Sequence, residues 1–163
     1  MKRFSHHAID LLFPISLFFV FSATALIVLL FSANIYKTLV QDSSNRFEQG
    51  TSLSYVTNKI RQYDSDGTAH IYLNTFDGCD ALTIQHDYPE GSYTTHIYEF
   101  NGELREIFLQ KGASASAQSG TTILKIHDFE MQQISSGLYK FICTSADGSQ
   151  ESVILGLHST QLQ

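Results

Sequence analysis

Residues 11–31 run for twenty-one positions without a charge, interrupted only by Pro14, Ser16, Ser22 and Thr24. As a helix that run is roughly 31 Å long at about 1.5 Å per residue, which matches a bilayer core of about 30 Å. It reads as a transmembrane helix over residues 11–33, with residues 1–10 as a short N-terminal segment. The 163-residue chain then has room for one further domain of ordinary size.

A cleavable secretory signal is the competing reading, because Ala23-Thr24-Ala25 has the small-x-small form that signal peptidase accepts. A cleavage region should be polar, however, and the apolar residues 26–31 follow at once. An uncleaved anchor is therefore expected. Lys2 and Arg3 precede the span and the next base is Lys37, so the positive-inside rule places the N-terminus in the cytoplasm and the rest of the chain outside. From residue 35 onward fifteen acids face eight bases. A surface that acidic is a poor partner for nucleic acid, and no basic patch interleaved with aromatics offsets it.

Past the span the chain keeps a helical pattern. Leu53, Val56, Ile60 and Tyr63 are spaced by three, four and three, with Thr57, Asn58, Arg61 and Gln62 on the other side. Tyr36, Leu39, Val40 and Phe47 extend an apolar strip back toward the membrane. An amphipathic helix over residues 34–64 is expected, stopping at Asp64-Ser65-Asp66-Gly67.

Beyond Gly67 the period changes from 3.6 to 2. Eight short strands are expected between residues 68 and 160, rich in β-branched and aromatic residues and starting near His70, Ala81, Tyr93, Glu103, Thr122, Phe129, Leu138 and Ser152. Asn101-Gly102 is the strongest turn signal, since a two-residue type I′ hairpin needs positive φ at both positions. Residues 112–120, made of Gly, Ala, Ser and one Gln, have little to bury and read as a flexible loop.

A meander of antiparallel strands has one face to cover, and the amphipathic helix laid along it completes a two-layer α+β core. Leu53, Val56, Ile60 and Tyr63 would be its buried stripe. Cys79 and Cys143 are the only cysteines. Both fall in the part placed outside, where oxidation is possible, so a bridge between them and two separate thiols both stay open.

The combination of a membrane helix, an amphipathic continuation and a C-terminal antiparallel sheet resembles the plan of type IV pilins and type II secretion pseudopilins. Those proteins are cut after a Gly, and the mature chain begins with a pattern like Phe-Thr-Leu-Ile-Glu. Here the counterpart is Ser5 followed by His6-His7-Ala8-Ile9-Asp10, with Asp10 where that family has its Glu. The resemblance implies that Asp10 meets a cationic group of a neighbouring subunit. Taken whole, "IDLLFPISLFFVFSATALIVLLFSANIYKTLV", "TSLSYVTNKIRQYDSDG", "HIYEFNGELREIF" and "ESVILGLHS" resemble the domain of unknown function 4860 family. These are single-pass membrane proteins of Gram-positive bacteria with no assigned activity.

Motifs for chemistry are scarce. The chain lacks G-x-S-x-G, a P-loop, H-E-x-x-H, C-x-x-C and a Gly-rich dinucleotide fingerprint. His86, His96, Asp80 and Asp87 are residue types that could meet at a metal, and Glu99, Glu103 and Glu106 flank one hairpin as paired carboxylates for acid/base work would. Histidines at alternate strand positions are more often rim residues, and strand-edge carboxylates are routine. No catalytic residue, cofactor or metal is expected. The sequence points to a non-enzymatic, membrane-anchored, pilin-like or pseudopilin-like assembly component whose partners are the membrane and other pilin-like subunits or secretion-system membrane proteins. A membrane-tethered extracytoplasmic binding module is the alternative.

Overall fold

The computed structural model describes residues 5–65 and 69–157, with side chains from residue 12 onward. It holds one long helix, α1 (Ser5–Asp64), followed by eight antiparallel strands. The chain divides into two compact units, Met1–Ser43 and Ser44–Gln163.

In the first unit α1 is long and apolar enough to cross a membrane, and none of its most apolar stretch is buried inside the protein. Phe13, Phe18, Phe21, Leu26 and Leu30 all stand exposed. Two hydroxyls on this stretch are satisfied within the helix: Ser16 donates to the Phe13 carbonyl at 2.9 Å and Thr24 to the Phe21 carbonyl at 2.8 Å. Such local pairing is what lets a hydroxyl sit in a bilayer, where water offers no partner. Asp10 lies within the helix, but its side chain is outside the described residues, as are Asp66 and Gly67 of the expected helix stop.

In the second unit the last turns of α1 supply one layer of the core. Leu53, Val56 and Ile60 are buried, with Tyr63 half-buried beside them. One turn earlier the stripe becomes polar, and the buried residues are Gln49 and Ser52. Gln49 Nε2 donates to the Ser149 carbonyl at 2.8 Å, and Ser52 Oγ returns to the Glu48 carbonyl at 2.7 Å. The helix is thus fastened by apolar burial at its C-terminal end, about 1.5–3 kcal/mol for each fully buried aliphatic side chain, and by hydrogen bonds further back.

The strands form two sheets. β1 (His70–Phe76), β2 (Cys79–Tyr88), β3 (Gly91–Glu99), β4 (Glu103–Gln110) and β5 (Thr121–Lys125) make a five-stranded meander, and β6 (Asp128–Ser135), β7 (Leu138–Thr144) and β8 (Gln150–Gly156) a three-stranded one. The split falls at Ile126-His127. Ile126 is buried and its amide donates to the Gly102 carbonyl at 3.0 Å, so the chain dives into the core there and β6 begins a new sheet. Ile71, Leu82, Ile84, Ile97 and Leu104 from the first sheet meet Phe129, Tyr139, Phe141, Cys143 and Leu155 from the second, with the helix stripe in the same cluster.

Two hairpins turn on residues with positive φ. Asn101 and Gly102 have φ of 53° and 75°, and Asp77 and Gly78 have 48° and 83°. Each pair is the two-residue loop between strands in register, Phe76 opposite Cys79 in one case and Phe100 exchanging backbone bonds with Glu103 in the other. These are the conformations that Asn-Gly and Asp-Gly adopt at least cost.

Candidate functional site

The first sheet has an inner face covered by α1 and an outer face covered in part. On the inner face, toward α1, Glu106 of β4 receives the Tyr55 hydroxyl at 2.5 Å and pairs with Lys59 Nζ at 2.8 Å. Tyr55 and Lys59 are one helical turn apart, so both reach the same carboxylate. Burial, then the bond to Glu106 and its charge, push the Tyr55 hydroxyl well above the ordinary tyrosine range. Further along, Tyr63 packs on the His86 ring at 4.4 Å between centroids.

The three glutamates near the Asn101-Gly102 hairpin do not converge. Glu106 is committed to the helix, Glu99 accepts from the Gly102 amide at 2.7 Å, and Glu103 binds Arg105 at 2.6 Å and the Thr122 hydroxyl at 2.8 Å. Each has a structural partner and no two share a site. The histidines also separate. Strand alternation puts His86 on the inner face against Tyr63 and His96 on the outer face against Phe76. Among the described residues no group of three or more His, Cys, Asp and Glu is placed to hold a metal ion.

On the outer face a second apolar cluster joins Phe76, Ala81, Tyr98 and Ala117. Here the structure corrects an expectation, because the small-residue loop is clasped down. Ser116 caps a short 3-10 turn at Ala117–Ser119, and Ala117 is fully buried. Its amide donates to Asp77 Oδ2 at 2.8 Å, its carbonyl accepts from the buried Tyr98 hydroxyl at 2.8 Å, and Arg105 Nη1 reaches the Gln118 carbonyl at 2.7 Å. A Cβ on Gly120 would overlap the Tyr98 hydroxyl, so only glycine lets the strand pass this close. An alanine methyl and a tyrosine across a sheet suffice to anchor a loop whose composition offers little else to bury.

The clasp covers one end of the outer face and leaves the other open. Between it and β1–β4 lies a cleft of about 440 Å³ lined by Tyr72, Gln85, Thr94, His96, Leu109 and Lys111 among others. His96 is held by two contacts: its ring stacks on Phe76 at 4.7 Å, and Nδ1 lies 3.1 Å from the hydroxyl of the fully buried Thr83. Burial lowers the affinity of the His96 ring for a second proton, which keeps it neutral near pH 7.

Cys79 and Cys143 are both free thiols. The structure does not bring the two together: Cys79 packs with the outer cluster of the first sheet, whereas Cys143 lies in the main core. Burial foremost pushes the Cys143 thiol up to about 11.

Tyr98, Thr83 and His96 carry the outer face, a role that strand periodicity alone does not assign to them. A signal exists in the pair Ile97-Tyr98. Both are fully buried, and two large apolar neighbours in one strand face opposite ways, so both faces of that strand need a cover.

Residues 47–146 match the family model described as Domain of unknown function (DUF4860). The matched stretch begins within α1 and ends just after β7. No curated protein and no solved structure matches the chain.

Proposed function

The chain belongs to the DUF4860 family, and from that premise we propose that it is a non-enzymatic assembly component of the cell membrane, pilin-like or pseudopilin-like. In this reading the N-terminus is cytoplasmic and the α+β head extracytoplasmic, and the partners are other pilin-like subunits or secretion-system membrane proteins. One observation carries it. The apolar side chains Tyr36, Leu39, Val40 and Phe47 are all exposed, although they follow a stretch that already has the length of a bilayer core. Apolar side chains past the bilayer need another cover, and the lateral face of a neighbouring helix supplies one. The mechanism is packing of α1 against α1 of adjacent subunits, with the head carried on the outside.

Leu39→Ser and Phe47→Ser test this directly. Both variants should insert and keep the head folded, since neither side chain is buried, and both should lose crosslinks to neighbouring subunits in intact membranes. Unchanged crosslinking partners in the double variant would remove the assembly reading. A membrane-tethered binding module is the second reading, and the cleft on the outer face of the first sheet favours it.

A further inference from the structure

The outer-face cleft has a definite chemical character. Its volume of about 440 Å³ falls within the range of small-molecule sites, about 300–1,000 Å³. Cross-strand pairing sets Tyr72, Thr83 and His96 in one row, and Gln85, Thr94 and Leu109 in the next. An aromatic ring thus stands beside an amide, a hydroxyl and an imidazole on one face. The imidazole is pre-set: with Nδ1 engaged by Thr83, Nε2 is the ring's remaining polar atom.

Charge narrows the choice of ligand. Lys111 is the one cation among the lining residues, and Asp77, the one carboxylate, already accepts from the Ala117 amide. A polyphosphate or multiply charged anion needs several fixed cations, and the net charge of the chain is −6. A wholly apolar ligand would desolvate the Thr94 hydroxyl and the His96 imidazole without giving either a partner, which disfavours it. What remains is a neutral molecule with many hydroxyls, each both donor and acceptor, and with an apolar C–H surface for a ring. We propose that the cleft between β1–β4 and the residue 112–120 clasp binds a neutral saccharide. Gln85, Thr94 and His96 meet its hydroxyls and Tyr72 its C–H face. The proposal does not depend on how the membrane helix associates.

The full chain in lipid nanodiscs, which avoids sugar-headed detergents, is titrated with maltose, cellobiose, lactose and N,N′-diacetylchitobiose, and with glucuronate and inorganic phosphate for comparison. Binding is read by saturation-transfer NMR and calorimetry. At least one neutral disaccharide should bind. Tyr72→Ala and Gln85→Ala should each weaken it by roughly tenfold, the loss of one good polar or stacking contact, with the thermal midpoint unchanged because Tyr72 is exposed and Gln85 only half-buried. Lys111→Ala should leave it within about twofold, since an exposed charge adds little to a neutral ligand. The proposal is overturned if none of the four disaccharides binds, if glucuronate or phosphate binds in preference and depends on Lys111, or if binding survives both Tyr72→Ala and Gln85→Ala.

Discussion

Ile60→Ala measures how much of the head rests on its helix. Ile60 is 2% exposed and belongs to the same cluster as Ile71, Ile84 and Phe141. Truncation removes three buried carbons, about 2.4 kcal/mol at about 0.8 kcal/mol each. The cavity they leave adds more, because strands on one side and a helix on the other limit collapse, and the total falls near 3–4 kcal/mol. Against a domain stability of about 5–15 kcal/mol that is a large fraction, and it lowers the melting temperature by roughly 10–20 °C. Gln62 is exposed, and Thr57 makes only an intrahelical bond to the Leu53 carbonyl at 2.7 Å. Alanine is a better helix former than either, so Gln62→Ala and Thr57→Ala should stay within about 0.5 kcal/mol of the parent. Urea denaturation of residues 44–163, followed by circular dichroism, gives all three values on one scale. Equal small losses at Ile60, Thr57 and Gln62 would refute the reasoning, for they would mean that the helix is a spacer and not half of the core.

Other perturbations probe the ties around that core. Tyr98→Phe removes the bond to the Ala117 carbonyl and strands a buried acceptor, so it should cost about 1–3 kcal/mol and raise hydrogen exchange selectively across residues 112–120. Tyr55 is held protonated in the fold. Its contribution is complete below the unfolded tyrosine value of about 10 and is lost as pH rises toward the elevated folded value, so urea midpoints should fall progressively above about pH 10 and Tyr55→Phe should flatten the decline. In the native protein a thiol reagent near neutral pH should modify Cys79 and spare the buried Cys143, which reacts once denaturant is added; mass spectrometry reads both. Asp10→Ala should leave the protein inserted and the head folded but abolish co-purification with pilin-like subunits, while Asp10→Glu retains it. Unchanged partners in the alanine form would show Asp10 to be a residue of the headgroup region only.

The reach of the sequence can be followed residue by residue. Leu53, Val56 and Ile60 stand out because a helix repeats every 3.6 residues and only one stripe can face a layer. Asn101-Gly102 stands out because few residues tolerate positive φ. Glu106 does not. Its role depends on which helix turn lies above β4, and Tyr55 and Lys59 are 51 and 47 residues away in the chain. The same holds for the clasp, where Asp77 and Ala117 are 40 residues apart and the composition of the loop gives no sign of an anchor.

Local order was therefore decided by the sequence itself: a span of bilayer length, a helical stripe, eight alternating strands and the glycine turns between them are all properties of neighbouring residues, fixed by steric limits and by the period of the backbone. Tertiary structure decided what distance in the chain conceals. It split the strands into two sheets at Ile126, sent Cys79 and Cys143 into different clusters, turned His86 and His96 to opposite faces, and built the cleft beside Tyr72 from four strands and a loop. Each of these outcomes depends on strand register and on which layers stack, and those are settled by the packing of side chains brought together only when the chain folds.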